Sequence, residues 1–267
     1  MQKNIRKYWP IFLLPTLAAF LLGFVIPFCQ GLYLSLCKFT TINKATFVGF
    51  SNYVKAFQDE LFANAFWFTA KFTVVSTILI NILALAIALL LTRGIKGTTP
   101  FRTVFFMPNL IGGIVLGYIW QILLNCVLSL LGKPLLALNA AYGYWGLIIL
   151  MCWQQIGYMM IIYIAGLQSI PNDYIEAAYI DGATPWQTFW KVTFPMISPF
   201  LLLNFVYAVI DSFTISSNPV IVQINDYFHN ILYANATTMS VAYFLLVLVV
   251  VGLATAIISR RVFYIEK

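Results

Sequence analysis

The sequence predicts an all-α membrane protein of six transmembrane helices with both termini cytoplasmic. Three observations carry that prediction: an apolar composition, six long apolar runs, and a one-sided distribution of basic residues. Of the 267 residues, 62% are hydrophobic and 9% are charged, with a mean hydropathy of +0.90. Soluble domains carry roughly a quarter charged residues, so a water-soluble fold is excluded.

A bilayer's hydrocarbon core is about 30 Å thick and a helix rises 1.5 Å per residue, so apolar runs of about 20 residues are the units to count. They fall at about 9–37, 61–91, 104–124, 145–167, 196–215 and 239–258, within a single membrane domain covering 1–267. A β-barrel is excluded, because its strands alternate apolar and polar over about ten residues, whereas these runs are continuously apolar. The basic head and apolar run of MQKNIRKYWPIFLLP have no convincing small-residue cleavage site, so this segment reads as a retained first span.

Lys and Arg gather on the cytoplasmic side of membrane proteins. With both ends inside, Lys3, Arg6, Lys7, Arg93, Lys96, Arg102, Lys191, Arg260, Arg261 and Lys267 are cytoplasmic, and Lys38, Lys44, Lys55 and Lys133 lie outside. Ten against four fixes the expected orientation. Lys71 sits in the second run, where its stem can snorkel to the outer surface. The net charge of +7 is then a matter of topology and anionic lipid, and nucleic acid is not an expected partner. Between the first two spans, Phe50, Tyr53, Val54 and Phe57 recur at helical spacing, which predicts an amphipathic helix on the outer surface.

The cytoplasmic segment 169–195 is the least generic part of the chain. SIPNDYIEAAYIDGATPWQTFWKVTFPMISP begins with Asn172 or Asp173 as a helix cap, and Gly182 supplies the left-handed residue that ends this helix. Thr184, Pro185 and Gln187 form a capping-box pattern with proline at the first helical position, so a second helix is predicted to run to Phe194, before Pro195 and Pro199 interrupt it. Ala177, Ala178, Ile180, Ala183, Trp186, Phe189 and Trp190 are too apolar for a solvated loop, which implies a protein cover. Capping chemistry explains part of this pattern without requiring all of it.

Glu176-Ala177-Ala178, Asp181-Gly182-Ala183, Phe189, Val192, Pro195 and Pro199 together resemble the EAA loop of permease subunits in binding-protein-dependent ABC importers. WPIFLLP, FVGFSNYVKAF and FRTVFFMPNLIGGIVLGYIWQ are similar to the maltose-type carbohydrate group, and the likeness weakens at 215–237, where the usual glycine-rich outer loop is missing. The resemblance implies a type I ABC importer permease in a bacterial cytoplasmic (inner) membrane. The expected partners are a second, different permease, two ATPase subunits or domains, an extracytoplasmic solute-binding protein and a sugar. It also implies that Glu176, Ala177, Ala178, Asp181, Gly182 and Ala183 couple to the ATPase: Glu176 meets basic groups, the alanines allow close approach, and Gly182 makes the turn.

Polar residues inside spans are functional candidates by default. On the fifth span Asn204, Tyr207, Asp211 and, one position round, Ser212 follow helical spacing, and on the fourth Gln155 and Tyr158 share a face with Gln154 beside it. Sugars are held by aromatic faces together with amide, hydroxyl and carboxylate groups, so Gln155, Tyr158, Tyr207, Asp211 and Ser212 are the expected substrate residues. By the resemblance, they fall at or within one residue of the positions where maltose-type permeases contact sugar. Asn204 and Gln154 are equally explained as inter-helical hydrogen-bonding groups.

The chain has no P-loop, since Gly94-Ile95-Lys96-Gly97 lacks its spacing. ATP and Mg are therefore expected in the partner ATPase, with no cofactor and no catalytic residue here. The four cysteines, Cys29, Cys37, Cys126 and Cys152, and the single histidine, His229, have no metal-ligand spacing, so no metal is expected. Gly113 and Gly117 form a G-x-x-x-G pattern suited to helix packing. Two alternatives are an ABC permease for another polar solute such as glycerol phosphate, and an ion-coupled secondary transporter. The first calls for basic residues along the route, and the second for internal repeats and more mid-membrane ionisable groups.

Overall fold

The structure, a computed structural model, describes residues 11, 13–41, 44–94 and 97–260. Residues 9, 10 and 12 of the predicted first run lie outside the described residues, as do Lys3, Arg6, Lys7, Lys96, Arg261 and Lys267. Among the described residues, six helical segments are long and apolar enough to cross a membrane: Leu13–Ser35, Glu60–Leu91, Gly113–Leu130, Ala140–Gln168, Ser198–His229 and Tyr233–Ser259. They correspond one to one with the six runs.

In chain order, α1 is Leu13–Ser35, containing a π turn at Leu21–Val25. Strands β1 (Cys37–Lys38) and β2 (Thr46–Phe47) pair antiparallel, a hairpin the sequence did not announce. Helix α2 is Ser51–Gln58, α3 is Glu60–Leu91, α4 is Thr98–Phe106, α5 is Gly113–Leu130 and α6 is Ala140–Gln168. Then come α7 (Asn172–Ile180), α8 (Pro185–Thr188), α9 (Ser198–Thr214), α10 (Pro219–His229) and α11 (Tyr233–Ser259).

Several boundaries differ from the apolar runs, and three of the differences have a local reason. The third run, 104–124, is not one helix: α4 ends at Phe106, Met107–Leu110 is a 3-10 turn, and Ile111 is extended before α5 begins. Pro108 has no N–H to continue the ladder, and Gly112 and Gly113 favour an interruption. The fourth run starts earlier, at Ala140, because the Asn139 side chain accepts from the Ala141 and Tyr142 amides at 3.0 and 3.3 Å. Beyond the fifth run, part of the expected outer loop 215–237 is the helix α10.

The described residues fall into two compact units, Met1–Asn64 with Val222–Leu246, and Ala65–Ile221 with Val247–Lys267. In the first unit, Asn52 Nδ2 donates to the carbonyls of Ser35 and Cys37 at 3.2 and 2.9 Å, and the Tyr53 hydroxyl lies 2.7 Å from Ser35 Oγ. These bonds seat one side of α2 on the end of α1. Phe50, Val54 and Phe57 are exposed on another side, so α2 is amphipathic as its spacing predicts. Thr238 Oγ1 and the Tyr227 hydroxyl add further polar ties in this unit, to Ser35 O at 3.0 Å and Asp59 Oδ2 at 2.6 Å.

The second unit has its core where α3, α6 and α9 meet, around Phe72, Ile80, Ala84, Met159, Met160, Tyr163 and Ala208. Several polar side chains inside it are paired, while Thr77 Oγ1 and Asn204 Oδ1 have no partner among the described residues. Tyr163 donates to Asn81 Oδ1 at 2.6 Å, Asn204 Nδ2 to the Met159 carbonyl at 3.1 Å, and Ser212 Oγ to Thr73 Oγ1 at 3.1 Å. Asn218 is buried after α9, accepting from Thr69 Oγ1 and the Val220 amide at 2.9 Å each and donating to the Ser212 carbonyl at 3.1 Å. Replacing Asn218 with Ala strands several of these groups at once. We predict a loss of about 1–3 kcal/mol, the penalty for buried polar groups left unpaired, read as earlier thermal unfolding in detergent.

Candidate functional site

Two places in the second unit carry the sequence-predicted residues. The first joins the fourth span, the fifth span and the break in the third. Gln155 on α6 is buried, and its Nε2 donates to Asp211 Oδ2 on α9. Asn109, in the 3-10 turn of the broken span, donates from Nδ2 to Gln155 Oε1 at 3.4 Å. The rings of Tyr158 and Tyr207 lie 4.8 Å apart at 35°, one from each helix. Tyr158, Tyr207 and Asp211 are half-buried, so two aromatic rings, an amide and a carboxylate meet at one place with part of their surface uncovered.

Helical spacing brings these groups together. Gln155 and Tyr158 are three apart on α6, and Tyr207 and Asp211 are four apart on α9, so each pair shares a face. The Asn204 bond to the Met159 carbonyl ties the same two helices one turn further along, which makes Asn204 an inter-helical tie. Ser212 is fully buried, with its hydroxyl on Thr73 Oγ1 and the Val209 carbonyl. It braces α9 against α3 beside the cluster. Asn109 was not among the expected residues, and its only signal in the sequence is its place in the Pro108–Gly112 interruption.

The end of α4, just before the break, is pressed on α6 at Gly157, between Gln155 and Tyr158. A Cβ there would collide with the Phe105 carbonyl and lie 2.8 Å from the Phe106 nitrogen. By contrast, Gly113 and Gly117 meet side chains at ordinary distance, Gln154 Nε2 at 3.8 Å and Ser217 Oγ at 3.7 Å. The close backbone approach therefore lies at Gly157 and not at the G-x-x-x-G pair.

The second place is the segment 169–195. Helix α7 has Pro171 as its cap with no side-chain bond, so neither Asn172 nor Asp173 caps it; proline's fixed φ is itself compatible with a helix start. Its end is as expected. Gly182 has φ +77°, its amide donates to the Tyr179 carbonyl at 3.0 Å, and the Ala183 amide donates to Ala178 at 2.9 Å. This double closure is the Schellman arrangement, and it ties together the two halves of the E-A-A and D-G-A pattern through Ala178 and Ala183.

Thr184 and Gln187 form the expected capping box. The second helix does not stop at Phe194. It passes through a π turn at Phe189–Thr193 and continues as Phe194–Met196. Both π turns among the described residues end two residues before a proline, Pro27 and Pro195, which cannot donate to the carbonyl four residues back. Ser198 Oγ donates to the Pro195 carbonyl at 2.6 Å, satisfying a group that Pro199 cannot reach.

Ile170, Met196 and Ile197 are buried and, with Ile175 and Val192, anchor this hairpin to the helices it joins. Glu176, Ala177, Asp181 and Gly182 are exposed, and Ala178 and Ala183 are half-buried. Around them Tyr174, Tyr179, Ile180, Trp186 and Trp190 are 50%, 54%, 86%, 71% and 46% exposed. So large an uncovered apolar surface beside acids is the mark of an interaction face.

Six apolar helices, a polar-aromatic cluster between two of them and a hairpin with an uncovered face define a multi-pass membrane permease. The chain belongs to the family of binding-protein-dependent transport system inner membrane components, whose model matches residues 80–267. It is 41% identical over 220 residues to the probable starch degradation products transport system permease protein AmyD of Thermoanaerobacterium thermosulfurigenes, covering 79% of this chain and 74% of that one. It is 29% identical over 287 residues to the sn-glycerol-3-phosphate transport system permease protein UgpA of Brucella abortus, covering 97% of each. The fold matches a chain of a bacterial ABC transporter involved in the import of the acidic polysaccharide alginate, with a TM-score of 0.80 at 21% identity, over 97% of this chain and 98% of that one.

Proposed function

We propose that this chain carries a neutral oligosaccharide into a bacterial cell across the cytoplasmic membrane, by alternating access coupled to ATP hydrolysis in a partner. Both termini face the cytoplasm, as the basic residues suggest. A second permease chain completes the route, an extracytoplasmic binding protein delivers the sugar, and ATP and Mg are held by ATPase subunits docked on 169–195. The observation that carries the substrate class is the cluster of Gln155, Asp211, Tyr158 and Tyr207. Aromatic faces suit the C–H surface of a sugar ring, and the amide and carboxylate suit its hydroxyls.

The same cluster argues against an anionic cargo. None of its side chains is basic, and a phosphate or uronate beside Asp211 meets like charge in a poorly hydrated place. A starch-type cargo, as named for the relative from T. thermosulfurigenes, agrees with this chemistry better than sn-glycerol 3-phosphate or alginate. The test is uptake by the assembled transporter of maltooligosaccharides, alginate oligomers and sn-glycerol 3-phosphate. Asp211→Asn and Tyr158→Ala are expected to weaken apparent affinity for the neutral sugar about tenfold each, the equivalent of ~1.4 kcal/mol. Normal affinity and rate in both variants overturns the assignment, and preferred uptake of an anion overturns the charge argument.

A further inference from the structure

In the core of the second unit, one face of α3 carries polar side chains four residues apart, at Thr69, Thr73, Thr77 and Asn81. Three of them have partners on other elements: Thr69 meets Asn218, Thr73 meets Ser212 and Asn81 meets Tyr163. Thr77, in the middle of the row, is 2% exposed and its hydroxyl has none among the described residues. The same is true of Oδ1 of Asn204, a side chain that is fully buried on α9. We infer that Thr77 and Asn204 together hold one ordered water molecule, a buried hydration site that joins α3 to α9 and α6. The inference does not depend on what the cluster carries.

Three observations support it. First, the printed pairs set the register. Partners fall in number as α3 rises, from Asn218 at Thr69 to Ser212 at Thr73, so α9 runs antiparallel to α3. Continued in steps of four, Thr77 stands level with Ala208 and Asn81 with Asn204. Ala208 is fully buried and offers only a methyl, so no polar side-chain atom stands directly across from the Thr77 hydroxyl.

Second, Thr77 and Asn204 share two neighbours. The Tyr163 hydroxyl donates to Asn81 Oδ1 at 2.6 Å, and Asn81 Nδ2 donates to the Thr77 carbonyl at 2.8 Å. The Asn204 side chain lies in hydrogen-bonding range of the same Tyr163 hydroxyl, while its Nδ2 donates to the Met159 carbonyl. Third, the reach suits one water. Four residues of helix rise about 6 Å, which is the step from the level of Thr77 to that of Asn204. Two hydrogen bonds of about 2.8 Å through one water span nearly that distance, and a single direct bond does not.

The donors and acceptors also match. A water accepts the Thr77 hydroxyl proton, donates to Asn204 Oδ1, and has a second proton for the Tyr163 oxygen, giving it the three partners usual for buried water. These oxygens are neutral and few, which suits water better than a metal cation. With the water bound, both orphaned groups escape the penalty for buried polar atoms left unpaired.

The test combines a map of the assembled transporter, fine enough to show other buried waters, with its thermal unfolding in detergent. The map is expected to show a water within hydrogen-bonding distance of both Thr77 Oγ1 and Asn204 Oδ1. Thr77→Val removes the hydroxyl and keeps the shape, and it is expected to lower the unfolding midpoint by about 2–4 °C, the scale of one hydrogen bond in a chain of this size. In Asn204→Leu, where the other end of the bridge is already gone, the same change is expected to lower it no further. Comparing the two backgrounds cancels the bond to the Met159 carbonyl, which Asn204→Leu also removes. A map with no such water, or with the two side chains in direct contact, overturns the site. So does an equal fall in both backgrounds, which makes the two groups independent, or no fall in either.

Discussion

Gly157→Ala is expected to abolish transport while the chain still inserts and co-purifies with its partners. Two effects oppose each other at this position. In a helix interior, Ala is better than Gly by about 1 kcal/mol, so propensity alone predicts a gain. The added methyl, however, collides with the Phe105 carbonyl and crowds the Phe106 nitrogen. These are backbone atoms and cannot rotate away, so overpacking of this kind costs typically ~1–3 kcal/mol and moves whole elements. Separating α6 from the broken third span breaks the Asn109 contact with Gln155 and displaces Tyr158 from Tyr207.

Two other glycines serve as controls. A methyl added at Gly166 meets the Phe200 ring, whose nearest atoms lie 2.7 Å away, and a ring can shift, so Gly166→Ala is milder. Gly252 has nothing within 4 Å, and Gly252→Ala leaves transport unchanged. Initial uptake rates of the three variants check the order. Wild-type uptake by Gly157→Ala contradicts the role given to this contact.

Gly182→Pro is expected to be equally severe by a different route. The left-handed φ of +77° is closed to proline, whose ring holds φ near −65°, and the amide bonded to the Tyr179 carbonyl is removed as well. The turn between α7 and α8 then opens and the uncovered face around Ile180 and Trp186 loses its shape. ATPase association is lost and transport with it, although the substrate cluster is untouched. Glu176→Arg is expected to reach the same end without altering the fold, since Glu176 is exposed and the change reverses the charge offered to the basic groups proposed for the ATPase. Membranes in which both variants keep ATPase bound and transport at wild-type rate contradict the docking role.

How much of this was legible in the sequence depended on how local the signal was. The capping box of Thr184 and Gln187 and the left-handed Gly182 are set by residues within one turn, and both are found where the pattern puts them. The pairing of Gln155 and Tyr158 with Tyr207 and Asp211 required only helical period plus adjacency of two consecutive spans. Ser212, one position round from Asp211, marks the limit of that method. A step of about 100° per residue turns it away from the cluster and onto Thr73, which only packing of α3 reveals.

The break at 107–112 was hidden by continuous hydrophobicity, because apolar count does not register a missing N–H at Pro108. Asn109 and Gly157 were illegible for a related reason: each matters through a contact distant in sequence, between the broken third span and α6. The start of α7 failed differently. Pro171 already supplies the entry geometry, so the side chains that follow it were not needed as caps.

The central claim is that the hairpin of α7 and α8 meets an ATPase on the cytoplasmic side. Ile180 is 86% exposed at the tip of α7, and the most direct measurement places a cysteine there. In membranes containing the assembled transporter, Ile180→Cys treated with a short bifunctional maleimide should yield a cross-linked species containing the ATPase subunit, and a membrane-impermeant thiol reagent added to intact cells should not label it. Free labelling of Ile180→Cys from outside the cell, with no cross-link to the ATPase, contradicts the account.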